Sequence, residues 1–74
     1  MKSKCNINIF GTKVWKNYKR EYHREDGPAV IFAHGVKEWY QNNQLHRIGG
    51  PAIEHPSGYK EWHKYGRLYV ETIL

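Results

Sequence analysis

Tyr22-His23-Arg24-Glu25-Asp26-Gly27-Pro28-Ala29-Val30 returns, 23 residues on, as Leu45-His46-Arg47-Ile48-Gly49-Gly50-Pro51-Ala52-Ile53. At the same offset, Gly35-Val36-Lys37-Glu38-Trp39-Tyr40 returns as Gly58-Tyr59-Lys60-Glu61-Trp62-His63, and nine of the 23 aligned positions are identical without a gap. Self-similarity at a fixed period marks an architecture in which one unit cannot bury its apolar face alone and stacks on its neighbours. An earlier half-unit, Gly11-Thr12-Lys13-Val14-Trp15, matches the second block at an offset of 24. Leu68-Tyr69-Val70-Glu71 opens a third unit but drops the His-Arg and Gly-Pro pairs. The chain therefore divides into a half-repeat over 11–21, repeats over 22–44 and 45–67, and a C-terminal capping strand over 68–74, all within one domain, 1–74. Degenerate ends are what capping units show.

Within each unit the residues favour strands and turns. Pro28 and Pro51 open short runs, 29–33 and 52–55, and proline is tolerated at the first residue of a strand. His34-Gly35 and Pro56-Ser57-Gly58 are turn signals. The runs 36–41 and 59–64 are rich in aromatic and β-branched residues that suit a pleated surface. Asn42-Asn43 and Tyr65-Gly66 tolerate positive φ and supply the next turn. No stretch keeps the i, i+3, i+4 spacing of an amphipathic helix. The expected fold is all-β, an antiparallel meander of short β-hairpin repeats, about two and a half 23-residue units with two strands in each.

Period-two alternation then assigns faces. Trp39 and Trp62, joined by Trp15, are expected to form a core ladder with Val30 and Ile53. Lys37 and Lys60 share the tryptophan side, with their stems along the rings and their ammonium groups in water. Tyr40 and His63 point away from it. Gly27, Gly50, Gly35 and Gly58 read as turn positions that need an open backbone.

The order Leu/Tyr-His-Arg-x-x-Gly-Pro-Ala, then Gly-x-Lys-Glu-Trp and an Asn/Gly turn, resembles MORN-like repeats. More narrowly, it is similar to the LHRxDGPA tandem repeats of bacteriophage and large-virus proteins. The resemblance covers Gly11 to Arg67 and implies β-hairpin units stacked in a row. It also implies a host-takeover or anti-defence role in a host cytoplasm. Ile48-Gly49 stands where the first unit has Glu25-Asp26, so neither acid has a role that recurs in every repeat.

A chain of 74 residues with 39% apolar content excludes a multidomain enzyme and a large cofactor cavity. Three Trp, six Tyr and two Phe offset the shortage of aliphatics, since each ring buries roughly 150–250 Å². Cys5 is alone, so no intrachain disulfide and no thiolate metal cluster forms. Small secreted domains usually carry bridges, and Met1-Lys2-Ser3-Lys4-Cys5-Asn6 lacks the apolar stretch a signal peptide needs. A cytoplasmic location without membrane insertion is expected.

The net charge of +5 attracts phosphates, nucleic acid or acidic protein faces. Arg24, Arg47, Lys37 and Lys60 recur at repeat spacing as two rows of cations, and a guanidinium pairs bidentately with phosphate. Pairing with Glu38, Glu61 or Glu25 would neutralise them on the surface. Tyr40 and His63 are candidates for stacking a base or ring. The chain has no Gly-x-Ser-x-Gly, P-loop or His-Glu-x-x-His pattern, and no histidine pair has a recognised metal spacing. These residues point to a non-enzymatic binding module, without cofactor or metal, that captures an anionic ligand, a nucleotide or nucleic acid. The alternative is a protein-docking inhibitor or antitoxin-like factor that engages a host protein through its exposed sheet face. Two open sheet edges and a strand-like C-terminus point to a homo-oligomer.

Overall fold

The computed structural model describes residues 3–69, and among them every regular element is a strand. In chain order these are β1 (Lys4–Ile7), β2 (Lys13–Lys16), β3 (Val30–Ile31), β4 (Lys37–Glu38), β5 (Tyr40–Gln41), β6 (Gln44–Leu45), β7 (Ile53–Glu54), β8 (Lys60–Lys64) and β9 (Arg67–Tyr69). One seven-stranded antiparallel sheet runs β1-β2-β3-β4-β7-β8-β9, and β5-β6 forms a separate hairpin between β4 and β7 in the chain. The fold is all-β, with hairpin neighbours in a largely meander order.

The strands are shorter than the apolar runs suggest. Only Val30–Ile31 of 29–33 and Ile53–Glu54 of 52–55 are strand, and 36–41 divides at Trp39 into β4 and β5. The chain turns there to start the small hairpin, so a full repeat contributes more than the two strands its sequence suggests. A strand also forms outside the repeats. Lys4–Ile7 pairs with β2 through Cys5↔Trp15 and Ile7↔Lys13, where the N-terminal residues carry no repeat signal.

Turn chemistry follows the sequence closely. Asn42 (φ 49°) and Asn43 (φ 69°), then Tyr65 (φ 51°) and Gly66 (φ 79°), place both central turn residues in the left-handed region. That geometry belongs to type I′ turns, whose twist matches the flanking strands. Gly35 (φ 104°) and Gly58 (φ 99°) also lie at positive φ.

The core differs from the expected tryptophan ladder. The register places Val14, Val30, Glu38, Ile53 and Glu61 side by side on one face. Trp15, Ala29, Trp39, Ala52 and Trp62 alternate with them and lie on the other. The tryptophans are half-buried, while Ala29 and Ala52 between them are fully buried, with Val30, Val36, His23 and His63 nearly so. The alanines, not the indoles, are the most enclosed residues of this face. Strand 68–74 is described only as far as Tyr69; residues 70–74 lie outside the described residues.

Candidate functional site

The His-Arg pair that opens each repeat binds three parts of the structure together. The backbone N–H of His23 donates to the carbonyl of Trp15, and that of His46 to Trp39, at 3.0 Å in both units. The ring Nδ1 of His23 accepts the N–H of Asn42 at 3.0 Å, and that of His46 accepts the N–H of Tyr65 at 3.0 Å. Both donors are first residues of the left-handed turns. An otherwise unpaired backbone donor is thereby satisfied.

Each arginine stands over the tryptophan of the preceding unit. The guanidinium carbon of Arg24 is 3.9 Å from the centre of the Trp15 ring, and that of Arg47 is 3.9 Å from Trp39. A cation over an indole face within about 6 Å is attracted by the ring quadrupole. Arg24 also donates to the Pro28 carbonyl at 3.2 Å and to Asp26 at 3.0 Å. Arg47 donates to the Pro51 carbonyl and to Glu54, both at 3.0 Å. The carboxylates are thus Asp26 and Glu54, not Glu25, Glu38 or Glu61, and the cation on each ring is arginine rather than the neighbouring lysine.

This stack corrects the reading of two glycines. Gly27 and Gly50 are not at positive φ. A β-carbon on Gly27 would stand 2.9 Å from the Arg24 guanidinium carbon, and one on Gly50 2.8 Å from that of Arg47. They are glycine because the guanidinium occupies the space a side chain would need.

Between the repeats the arginines border an open cleft of about 840 Å³ with Trp39 in its wall and Glu25, Asp26, Ile48 and Tyr65 at its rim. Its charges balance, since each arginine already faces a carboxylate and Glu25 is exposed beside them. The cleft is therefore a poor trap for a small anion.

The lysines are different. Lys13, Ile31, Lys37, Glu54 and Lys60 lie opposite one another in register across β2, β3, β4, β7 and β8. They occupy the tryptophan face. With strands about 4.8 Å apart, Lys13, Lys37 and Lys60 stand in line at spacings of about 10 Å. All three are exposed. Among the described residues none has a carboxylate within 4.0 Å, and Glu54, which lies between Lys37 and Lys60, bonds to Arg47 instead. Lys64 and Arg67, opposite each other on β8 and β9, extend the same face. The other face balances Lys4 and Lys16 against Glu38 and Glu61, so among the strand residues the excess of positive charge lies on the tryptophan face. Lys13 was not among the sequence candidates, although Gly11-Thr12-Lys13-Val14-Trp15 carries the same Gly-x-Lys-x-Trp signal as its two counterparts.

Tyr40 and His63 sit on the opposite face. The Tyr40 hydroxyl donates to Glu38 at 3.0 Å and its ring packs 5.2 Å from Tyr22. Burial first, then the Glu38 charge and hydrogen bond, push the phenol well above its ordinary value. His63 is buried, with Nε2 2.9 Å from Glu61. Glu61 also accepts from the Tyr59 hydroxyl; that bond first, and His63 second, hold the carboxyl below its usual range. The six sequence candidates thus separate into four cations on one face and two rings on the other, and one small ligand cannot touch both sets. No known protein family, curated protein or solved structure matches this chain.

Proposed function

We propose that the protein is a non-enzymatic module that binds a linear polyanion along its tryptophan face. The carrying observation is the row Lys13, Lys37 and Lys60, one lysine from each unit, exposed, aligned across the sheet and free of carboxylate partners among the described residues. Arg24 and Arg47 lie on the same face over the indoles, and each makes two hydrogen bonds to protein oxygens, out of the five N–H donors of a guanidinium. An extended ligand suits the row better than a compact nucleotide, because cations about 10 Å apart cannot all converge on one phosphate.

Affinity for inorganic polyphosphate or an oligonucleotide, measured against salt, tests this reading. Each phosphate neutralised contributes a slope of about −0.7 to −0.9 in log K against log salt. Replacing Lys37 with Gln should lower the slope by about one phosphate contact and leave the fold intact. Salt-independent binding, or none, would refute it.

The opposite face favours a second reading. Phe10, Val14, Tyr22, Val30, Phe32 and Tyr40 line a groove there together with Asn8, Thr12 and Glu38, and Phe10 is 75% exposed. A partner protein seated in that groove would bind with little salt dependence, which separates the two readings.

A further inference from the structure

The three tryptophans of the basic face are not equivalent. Trp15 and Trp39 each lie under a guanidinium supplied nine and eight residues further on. The residue eight on from Trp62 is Val70, which has no cation to supply, and among the described residues no cation stands over the Trp62 ring. Trp62 is half-buried and lies between Lys60 and Lys64 on the same side of β8. Directly opposite on β9 are Tyr69, paired with Trp62, and Arg67, paired with Lys64. The Lys64 ammonium lies 5.2 Å from the Tyr69 ring centre. Cations and aromatic rings alternate here more densely than elsewhere on the face. At the other two steps an arginine occupies the indole surface.

We infer that Trp62, flanked by Lys60, Lys64, Arg67 and Tyr69, is a base-stacking station, and that the polyanion is single-stranded nucleic acid. This rests on the reading of the lysine row as a polyanion track. One base lies on the indole while the backbone phosphates run from Lys60 toward Lys37 and Lys13. Stacking on an aromatic ring is sequence-tolerant, because every base has a π-face. The paired bases of a duplex cannot reach the ring without unstacking. The single strand is therefore favoured over the duplex.

The test uses the full chain with three probes of equal length, about twelve nucleotides: oligothymidylate, the abasic deoxyribose-phosphate oligomer, and a duplex. Oligothymidylate should bind roughly ten-fold more tightly than the abasic strand, and more tightly than the duplex, and it should quench tryptophan fluorescence. Trp62→Phe should keep most of the affinity and lose the quench, and Trp39→Phe should keep both. If the substitution at Trp62 unfolds the chain, the abasic comparison on the unaltered protein still decides. Equal affinity for oligothymidylate and the abasic strand, or a preference for duplex, overturns the stacking station and leaves the polyanion track standing. Absence of salt-dependent binding to all three probes overturns the track itself.

Discussion

Gly50 faces the guanidinium of Arg47 so closely that a β-carbon would stand 2.8 Å from its central carbon. The Arg47 guanidinium thus lies against both Trp39 and Gly50, as that of Arg24 lies against Trp15 and Gly27. Gly50→Ala should push the guanidinium off Trp39 and break its bond to the Pro51 carbonyl. The expected cost is about 1–2 kcal/mol, from a cation–π contact of roughly 0.5–1 and a hydrogen bond of similar size. Denaturant melts should show that Gly50→Ala adds little once Arg47→Gln is present. Full additivity would mean that the glycine serves the backbone and not the stack.

The histidines should matter for the same hairpins. His23→Ala removes the acceptor for the Asn42 N–H, and His23 is buried. Asn42 is exposed, so water can take the freed N–H, and loss of this bond costs about 0.5–1.5 kcal/mol. Amide exchange at Asn42 should accelerate in His23→Ala and at Tyr65 in His46→Ala, each change confined to its own repeat. Equal protection in variant and parent would remove the histidine from the turn.

Alkali should destabilise the protein through Tyr40. Its folded-state pKa is raised above the ordinary 10.0, so the folded chain holds that proton more tightly than the unfolded chain. The contribution is complete below about pH 10 and is lost as pH rises above it. Tyr40→Phe should flatten the fall in melting temperature on the alkaline side, at a cost of about 1 kcal/mol near neutrality for the lost bond to Glu38. An unchanged alkaline limb would contradict the assignment.

Acid should act through Glu61, whose pKa is lowered chiefly by the Tyr59 hydroxyl and then by His63. A carboxyl held more acidic in the folded chain stabilises it above the ordinary glutamate range of about 4.3. That stabilisation disappears as pH falls through the lowered value. Glu61→Gln should weaken the dependence of stability on pH below about 4, read from melts across that range. A variant that follows the parent throughout would show that Glu61 titrates normally.

Lys13 should behave as a full member of the row. Lys13→Gln is expected to lower the salt slope of polyphosphate binding by the same increment as Lys37→Gln or Lys60→Gln, about one contact each. Lys16, on the opposite face, is the control and should change nothing.

The sequence by itself determined the repeat, the strand-only character of the described residues and the turns, because these depend on local chemistry. A 23-residue period, Asn42-Asn43 and Tyr65-Gly66 at left-handed turns, and Gly35 and Gly58 at positive φ are all read residue by residue. Tertiary structure alone decided which residue faces which across the sheet. A register one residue different moves every side chain to the other face, and pairing Val30 with Glu38 rather than with Trp39 placed the indoles opposite the aliphatics. The same pairing brought Lys13, Lys37 and Lys60 into one line from separate repeats. It also seated each arginine on a ring eight or nine residues earlier in the chain. Long-range contacts of this kind leave no periodic trace of their own in one sequence. The glycine against each arginine shows this: its identity is local, but the guanidinium that requires it comes into place only when the units stack.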